Sequence, residues 1–363
     1  MESRTSLHET VTGILTSAGA QNRTGIPDAF LPEFWYVAEF GAAITRTPIR
    51  RVIMDQPIVL YRREDGGVVA LYDRCPHRSY PLSRGEVRGD ALVCGYHGFT
   101  FDPAGACISV PGQPNVPRAA CVRAYPVAES GPFVWIWMGE PANADPARIP
   151  DHRWACDEGW TTFTNSATVG CRYGMLIDNL LDLSHETFVH RATIGTPDVA
   201  ETPIATSVDG LTVKVSRRME GADCPPFYAQ STGVAGKIDR SQDIAYAVPS
   251  FYVLSVRVAP AGDEGPGFNM KIMYAITPET KRSTHDFWAV SRDFATDQRW
   301  VTETLSRIQD AIVEEDRVAL EILEADYPEG RVPEVSINID RGALQARRLI
   351  HDLMKQSQTA GAP

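Results

Sequence analysis

The chain has 363 residues, 43% hydrophobic and 22% charged, a globular composition with length enough for two domains. A net charge of −11 and an isoelectric point near 5.3 argue against nucleic-acid or membrane binding. No apolar run reaches signal-peptide or membrane-span length, and seven cysteines at scattered spacings make no disulfide framework, so a reducing, cytoplasmic location is expected.

Residues 1–29 read as a polar N-terminal extension with at most a short helix. An all-β domain is expected over residues 30–141. Trp35-Tyr36-Val37-Ala38 opens it, and Val52–Met54 and Ile58–Tyr61 read as strands. Asp65-Gly66-Gly67 turns the chain into Val68–Tyr72, a hairpin that leads directly to Cys75. A second hairpin joins Phe99–Phe101 to Cys107–Ser109, followed by strands at Val122–Val127 and Phe133–Met138. Trp135 and Trp137 sit in a run too apolar for a surface strand and are expected in the core. Cys107, Cys121, Cys156, Cys171 and Cys224 are expected to be buried thiols.

Between the hairpins lie Cys75-Pro76-His77 and Cys94-Gly95-Tyr96-His97, with sixteen residues intervening. Each half offers one thiolate and one imidazole, close enough for a tight turn to aim both at one point. A tetrahedral zinc site accepts the same ligands, but zinc fingers place two Cys together and then two His. One Cys and one His in each half suits a Rieske [2Fe–2S] cluster, with thiolates on one iron and imidazoles on the other. Cys75, His77, Cys94 and His97 are its expected ligands.

A Pro- and Ala-rich linker, Pro141–Pro150, leads into a second domain over residues 142–363. Strand-like runs at Phe163–Val169, Leu211–Val215, Phe251–Val258, Met270–Ile276 and Phe287–Val290 alternate with helices near 173–190, 298–325 and 341–355. The fold class expected is α+β: an all-β domain followed by an antiparallel sheet flanked by helices.

On an ideal helix Asp178, Asn179, Asp182, His185, Glu186 and Val189 share one face, opposite Leu176, Leu180 and Leu183. Polar groups so flanked need partners, and a metal is one of the few that satisfies two imidazoles. His185 and His190 stand about 140° apart on such a helix and converge only if it distorts or ends between them. The spacing excludes His-Glu-x-x-His. In the late helix Leu305, Ile308, Ile312, Ala319 and Leu323 fall within roughly 60° of each other, with Asp316 close to that stripe and Glu315 at its margin. A carboxylate there is costly unless paired or metal-bound, although Glu314-Glu315-Asp316 also reads as a solvated acidic patch. His185, His190 and Asp316 would make a two-His, one-carboxylate site for Fe(II).

Together, Cys75-x-His77, Cys94-x2-His97, Asn179-x2-Asp182-x2-His185-x4-His190 and Glu315-Asp316 resemble the oxygenase component of Rieske non-haem iron oxygenases. Within them, Trp35–Ala38 and Asp178–His185 look like the vanillate O-demethylase and dicamba monooxygenase group. The resemblance implies a terminal monooxygenase that uses O2 to demethylate a methoxylated aromatic acid, releasing formaldehyde. It implies electrons from NAD(P)H through a separate flavin- or ferredoxin-type reductase, since the chain has no flavin or nicotinamide motif of its own. It implies a head-to-tail homotrimer in which Asp182, from the motif that includes Asn179, bridges a cluster histidine and His185. Hydroxylation of a ring or alkyl carbon is the alternative chemistry. A Rieske electron carrier is the alternative class, against which the triad argues. Phe251–Val258 and Met270–Ile276 are the expected pocket walls. Arg257 and Lys271 are candidates to pair with a carboxylate or sulfonate, or else solvated strand-end cations; Tyr274 and Asn269 are further candidates.

Overall fold

The computed structural model describes residues 25–27, 29–327 and 334–360, so the short helix expected in the extension lies outside the described residues. The first half of the chain forms three small antiparallel sheets. Phe133–Trp137 is the middle strand of one, between Trp35–Phe40 and Val127–Ser130. Ile49–Ile53, Gln56–Arg62, Val68–Tyr72 and Ala124–Tyr125 form the second; Glu86–Arg88, Ala91–Val93, Thr100–Phe101 and Cys107–Ser109 form the third.

Phe133–Trp137 is buried at every position because both its faces are covered. Val134 and Ile136 pack on Tyr36, Ile58 and Leu60, while Phe133, Trp135 and Trp137 meet Phe251, Met273, Ala275, Phe287 and Ala289 of the second half. Polar ties cross the same junction: Thr277 Oγ1 donates to the Val37 carbonyl at 2.8 Å, and His285 Nε2 to that of Val52 at 3.0 Å.

The second half is built on a seven-stranded antiparallel sheet. Its order is Thr161–Val169, Ser283–Arg292, Phe268–Thr280, Phe251–Pro260, Lys237–Ala247, Thr212–Asp223, Ala205–Asp209. One face meets the first half; the other lies under the helices α1 (Tyr173–Leu181), α2 (Pro197–Glu201), α3 (Pro226–Thr232), α4 (Arg299–Ala325) and α5 (Arg341–Ala360). This is the expected α+β arrangement. The Lys237–Ala247 strand escapes the hydrophobic pattern because Arg240 and Gln242 occupy its buried face alongside Ile238, Ile244 and Tyr246.

Three expectations need correction. The helix expected over 173–190 stops at Leu181, where Asp182 turns extended (φ −121°, ψ 93°) and its carboxylate accepts the Ser184 N–H at 2.9 Å. That cap starts a separate 3₁₀ turn, Leu183–Thr187, so the single polar face does not form. In α4 the buried row is Leu305, Gln309, Ile312, Asp316, Leu320 and Glu324, while Leu323 is exposed. Of the five cysteines expected to be buried, Cys171 is buried, Cys107 and Cys224 half-buried, and Cys121 and Cys156 exposed.

Two candidate metal centres and an adjoining cleft

The Cys75 and Cys94 loops repeat one another's backbone. Each cysteine carbonyl accepts the amide four residues on (Ser79 at 2.8 Å, Gly98 at 3.0 Å), and each cysteine amide donates five residues on (Tyr80 at 2.9 Å, Phe99 at 2.8 Å). Ser79 and Gly98 close the turns with φ of 59° and 73°. Gly95 is required by close approach, since a Cβ there would lie 2.8 Å from the Arg84 carbonyl oxygen. The loops bury both thiols and leave His77 and His97 exposed, ring centroids 4.6 Å apart. Burial pushes the Cys75 thiol up to about 11, with Cys94 beside it adding to the shift. A thiol pair behind an imidazole pair is the donor arrangement a Rieske cluster needs, so the residues fit that group.

The second centre lies where α1, the 3₁₀ turn and α4 meet. His185, His190 and Asp316 offer one ligand atom each, all within 4.8 Å of one another. Asp316 Oδ1 stands 3.4 Å from His185 Nε2 and 3.1 Å from His190 Nε2. The other ring nitrogens are tied: His185 Nδ1 donates to the Asp182 carbonyl at 2.6 Å, His190 Nδ1 to Glu315 Oε2 at 2.8 Å. Those bonds orient both rings so that each Nε2 faces Asp316. Asn179 Nδ2 donates to Asp316 Oδ1 at 3.0 Å. Burial opposes charge on both imidazoles, yet Asp316 outweighs it and raises them. In return the imidazoles hold the buried Asp316 carboxyl well below the usual range. A site that gathers positive charge around a buried carboxylate fits a divalent cation with two neutral imidazole ligands.

The other polar residues of the motif go elsewhere. Asp178 is held by Arg347 Nε at 3.0 Å. Glu186 is 2% exposed and accepts from Arg240 at 3.0 Å and Gln242 at 2.9 Å. Neither faces the centre, because the chain bends at Asp182. Within the chain it is the Asp182 carbonyl, not its carboxylate, that holds His185. Glu315 is the supporting residue the sequence pattern left at a helix margin.

A narrow cleft of about 40 Å³ adjoins the triad, with walls that include Leu183, Ile194, Phe227, Tyr252, Ile272, Tyr274 and Ile312. Strand parity decides which expected substrate residues reach it: Tyr252, Leu254, Ile272 and Tyr274 face the helices. Arg257 and Lys271 sit at odd positions of the same strands and line a larger open concavity of about 670 Å³ instead. Arg257 donates to the carbonyls of Asp263 and Pro266, and Lys271 lies 4.2 Å from the Trp154 ring centroid. Neither enters the cleft. Asn269, bonded to Asp293 at 2.8 Å, also stays outside it.

Residues 34–126 match the Rieske [2Fe–2S] domain, and residues 169–356 match the vanillate O-demethylase oxygenase C-terminal domain. The chain is 37% identical to the vanillate O-demethylase oxygenase subunit of Pseudomonas sp. strain HR199, over 90% of this chain and 95% of that one. It is 33% identical to the iron-sulfur subunit of a toluene-4-sulfonate monooxygenase system from Comamonas testosteroni, over 92% and 100%. Its fold superposes on dicamba monooxygenase bound to dicamba with a TM-score of 0.84 and 32% identity, covering 91% of this chain and 99% of that one. Among the described residues no helix is long and apolar enough to cross a membrane.

Proposed function

The chain belongs to the Rieske non-haem iron oxygenases of the vanillate O-demethylase group, and from that membership we propose that it is the terminal oxygenase of an O-demethylase for a methoxylated aromatic compound. The observation that carries the reading is the triad itself: His185, His190 and Asp316, all within ligand reach, open on an aromatic-walled cleft. The oxygenase is a Rieske cluster and mononuclear iron enzyme. Residues 1–29 are taken as an extension, 30–141 as the cluster domain and 142–363 as the catalytic domain. Cys75, His77, Cys94 and His97 would hold the cluster; His185, His190 and Asp316 would hold Fe(II), which supplies the binding and reduction of O2.

The chain's own residues position and exclude. Glu315 and the Asp182 carbonyl hold the imidazoles, and Asn179 orients Asp316. Leu183, Ile194, Ile272 and Ile312 keep water from the methoxy carbon. The reaction balances as ArOCH3 + O2 + 2 e⁻ + 2 H⁺ giving ArOH + CH2O + H2O. The electrons come from NAD(P)H through a separate flavin- or ferredoxin-type reductase. Asp182, whose second carboxylate oxygen makes no hydrogen bond among the described residues, would bridge to a cluster histidine of a neighbouring copy in a homotrimer, and the assembly would be cytoplasmic. The test is formaldehyde release and O2 uptake with a surrogate reductase and a panel of methoxylated aromatics. Formaldehyde equal to O2 consumed supports the reading; no formaldehyde from any member removes it. The toluene-4-sulfonate relative favours a second reading, hydroxylation of an alkyl carbon, which the same assay detects as a hydroxylated product without formaldehyde.

A further inference from the structure

The buried polar network beneath the His185–His190 turn is unbalanced in charge. Glu186 accepts from Arg240 Nη2 at 3.0 Å and from Gln242 Nε2 at 2.9 Å. Arg217 joins the same network from the neighbouring strand, Thr212–Asp223. Its Nη1 donates to Gln242 Oε1 at 3.1 Å and its Nε to the Thr202 carbonyl at 3.3 Å. Both acceptors are neutral, so the network holds two guanidiniums and one carboxylate. Arg217 is 4% exposed, and among the described residues it has no ion pair and its Nη2 no hydrogen bond. A buried cation with no counter-charge is costly.

Asp182 has the complementary deficit. It is half-buried; one carboxylate oxygen accepts the Ser184 amide at 2.9 Å and the other has no hydrogen bond among the described residues. Asp182, Arg217 and Gln242 line one small cavity of about 10 Å³, together with Leu181, Leu183 and Ile244. That is room for a single water. The free Arg217 Nη2 offers it a donor, the free Asp182 oxygen an acceptor, and Gln242 Oε1 keeps a second lone pair for it. Burial pushes the Arg217 guanidinium down, and the Glu186 and Asp182 carboxylates oppose that, so the Asp182 charge is felt across the gap.

We propose that Arg217 positions the Asp182 carboxylate through one bound water in this cavity, aiming it for the bridge to a cluster histidine of a neighbouring copy. The inference rests on the bridging role of Asp182 for its consequence, not for the water. Arg217 is a positioning residue: it acts through Asp182 and touches neither metal nor substrate.

The first test is a crystal structure of the iron-loaded holoprotein, at a resolution that shows ordered water, unaltered and as Arg217→Gln. The variant removes the Nη2 arm yet keeps a donor for Gln242. One water within hydrogen-bond distance of both Arg217 Nη2 and Asp182 is expected, with the carboxylate turned away in the variant. An Asp182 that keeps its position in the variant overturns the proposal. So does a dry cavity in the unaltered protein, whether or not the variant folds. The second test mixes the fully reduced holoprotein with O2, with each member of the methoxylated panel present, and follows cluster reoxidation by visible absorbance. Arg217→Gln is expected to slow it about tenfold, with iron content and Rieske EPR signal unchanged. The double variant with Asp182→Asn is expected to be no slower than Asp182→Asn alone. Losses that multiply in the double variant would mean that Arg217 acts elsewhere in the fold, and overturn the proposal; so would full speed in Arg217→Gln beside a slow Asp182→Asn. Full speed in both single variants, with the water present and the carboxylate turned, removes the bridging role and keeps the positioning.

Discussion

An imidazole can serve a metal only while its second nitrogen is held, and the two proposed iron ligands are held by unlike partners. His190 leans on the Glu315 carboxylate, His185 on a backbone carbonyl that no substitution removes. Glu315→Ala is therefore expected to weaken iron binding about 10- to 100-fold, read by metal titration, while the Rieske EPR signal stays unchanged. Equal iron affinity would show that Glu315 does not orient the ring. Asp182→Asn is isosteric, keeps a side-chain oxygen for the Ser184 amide and leaves the carbonyl to His185. It should retain both metals and lose about 100-fold in turnover, because the carboxylate is proposed to face a neighbouring subunit; normal coupled turnover would remove the bridging role. At this scale the sequence was most legible where chemistry dictates spacing. The convergence of Cys75, His77, Cys94 and His97 was readable from interleaving, and the burial of Asp316 from its phase against Ile312. Arg257 and Lys271 were misplaced because the alternation around them, buried Val256 and Met270 against half-buried Arg257 and Lys271, shows which positions share a face but not which face bears the cleft.

The elements converge on the site through polar anchors set in otherwise apolar faces. α4 carries three: Gln309 to Tyr274, Asp316 to the triad, and Glu324 to Arg172 at the start of α1. Glu324 receives the Arg172 amide at 3.0 Å and two guanidinium bonds at 2.8 Å. Burial alone would raise its pKa, but the Arg172 bonds outweigh burial and hold it below the ordinary value. A depressed carboxylate stabilises the fold above its unfolded pKa and loses that contribution as pH falls through the folded value. Glu324→Gln should thus lower stability by about 1–3 kcal/mol at pH 7, with the gap in Tm closing toward pH 3. A gap that persists in acid would contradict the ion-pair account. Gly195, just after His190, is a steric control: a Cβ there would fall on the Glu186 carbonyl. Gly195→Ala should displace the His185–His190 turn and cost the mononuclear iron while sparing the cluster; full iron occupancy would contradict this. The break at Asp182 was only half legible. The need for a distortion followed from the 3.6-residue period, but its position depended on an aspartate cap that outcompetes helix continuation locally.

At the scale of the molecule, one sheet serves two purposes. Its odd-numbered positions in Phe251–Pro260 and Phe268–Thr280 seat the Trp35, Trp135 and Trp137 layer of the cluster half, and its even-numbered positions floor the cleft. That double use explains why the strands read as continuous apolar runs and why the α+β class was recoverable while the Lys237–Ala247 strand, with two buried polar side chains, was not. The central claim is that one chain carries two separate iron centres. The direct measurement is iron and acid-labile sulfide on anaerobically purified protein and its His185→Ala variant, with EPR spectra after dithionite reduction. The account predicts about three irons and two sulfides per chain with a Rieske signal, and about two irons and two sulfides with the same signal in the variant. Zinc without sulfide, or a variant that loses its sulfide and Rieske signal along with the iron, would contradict it.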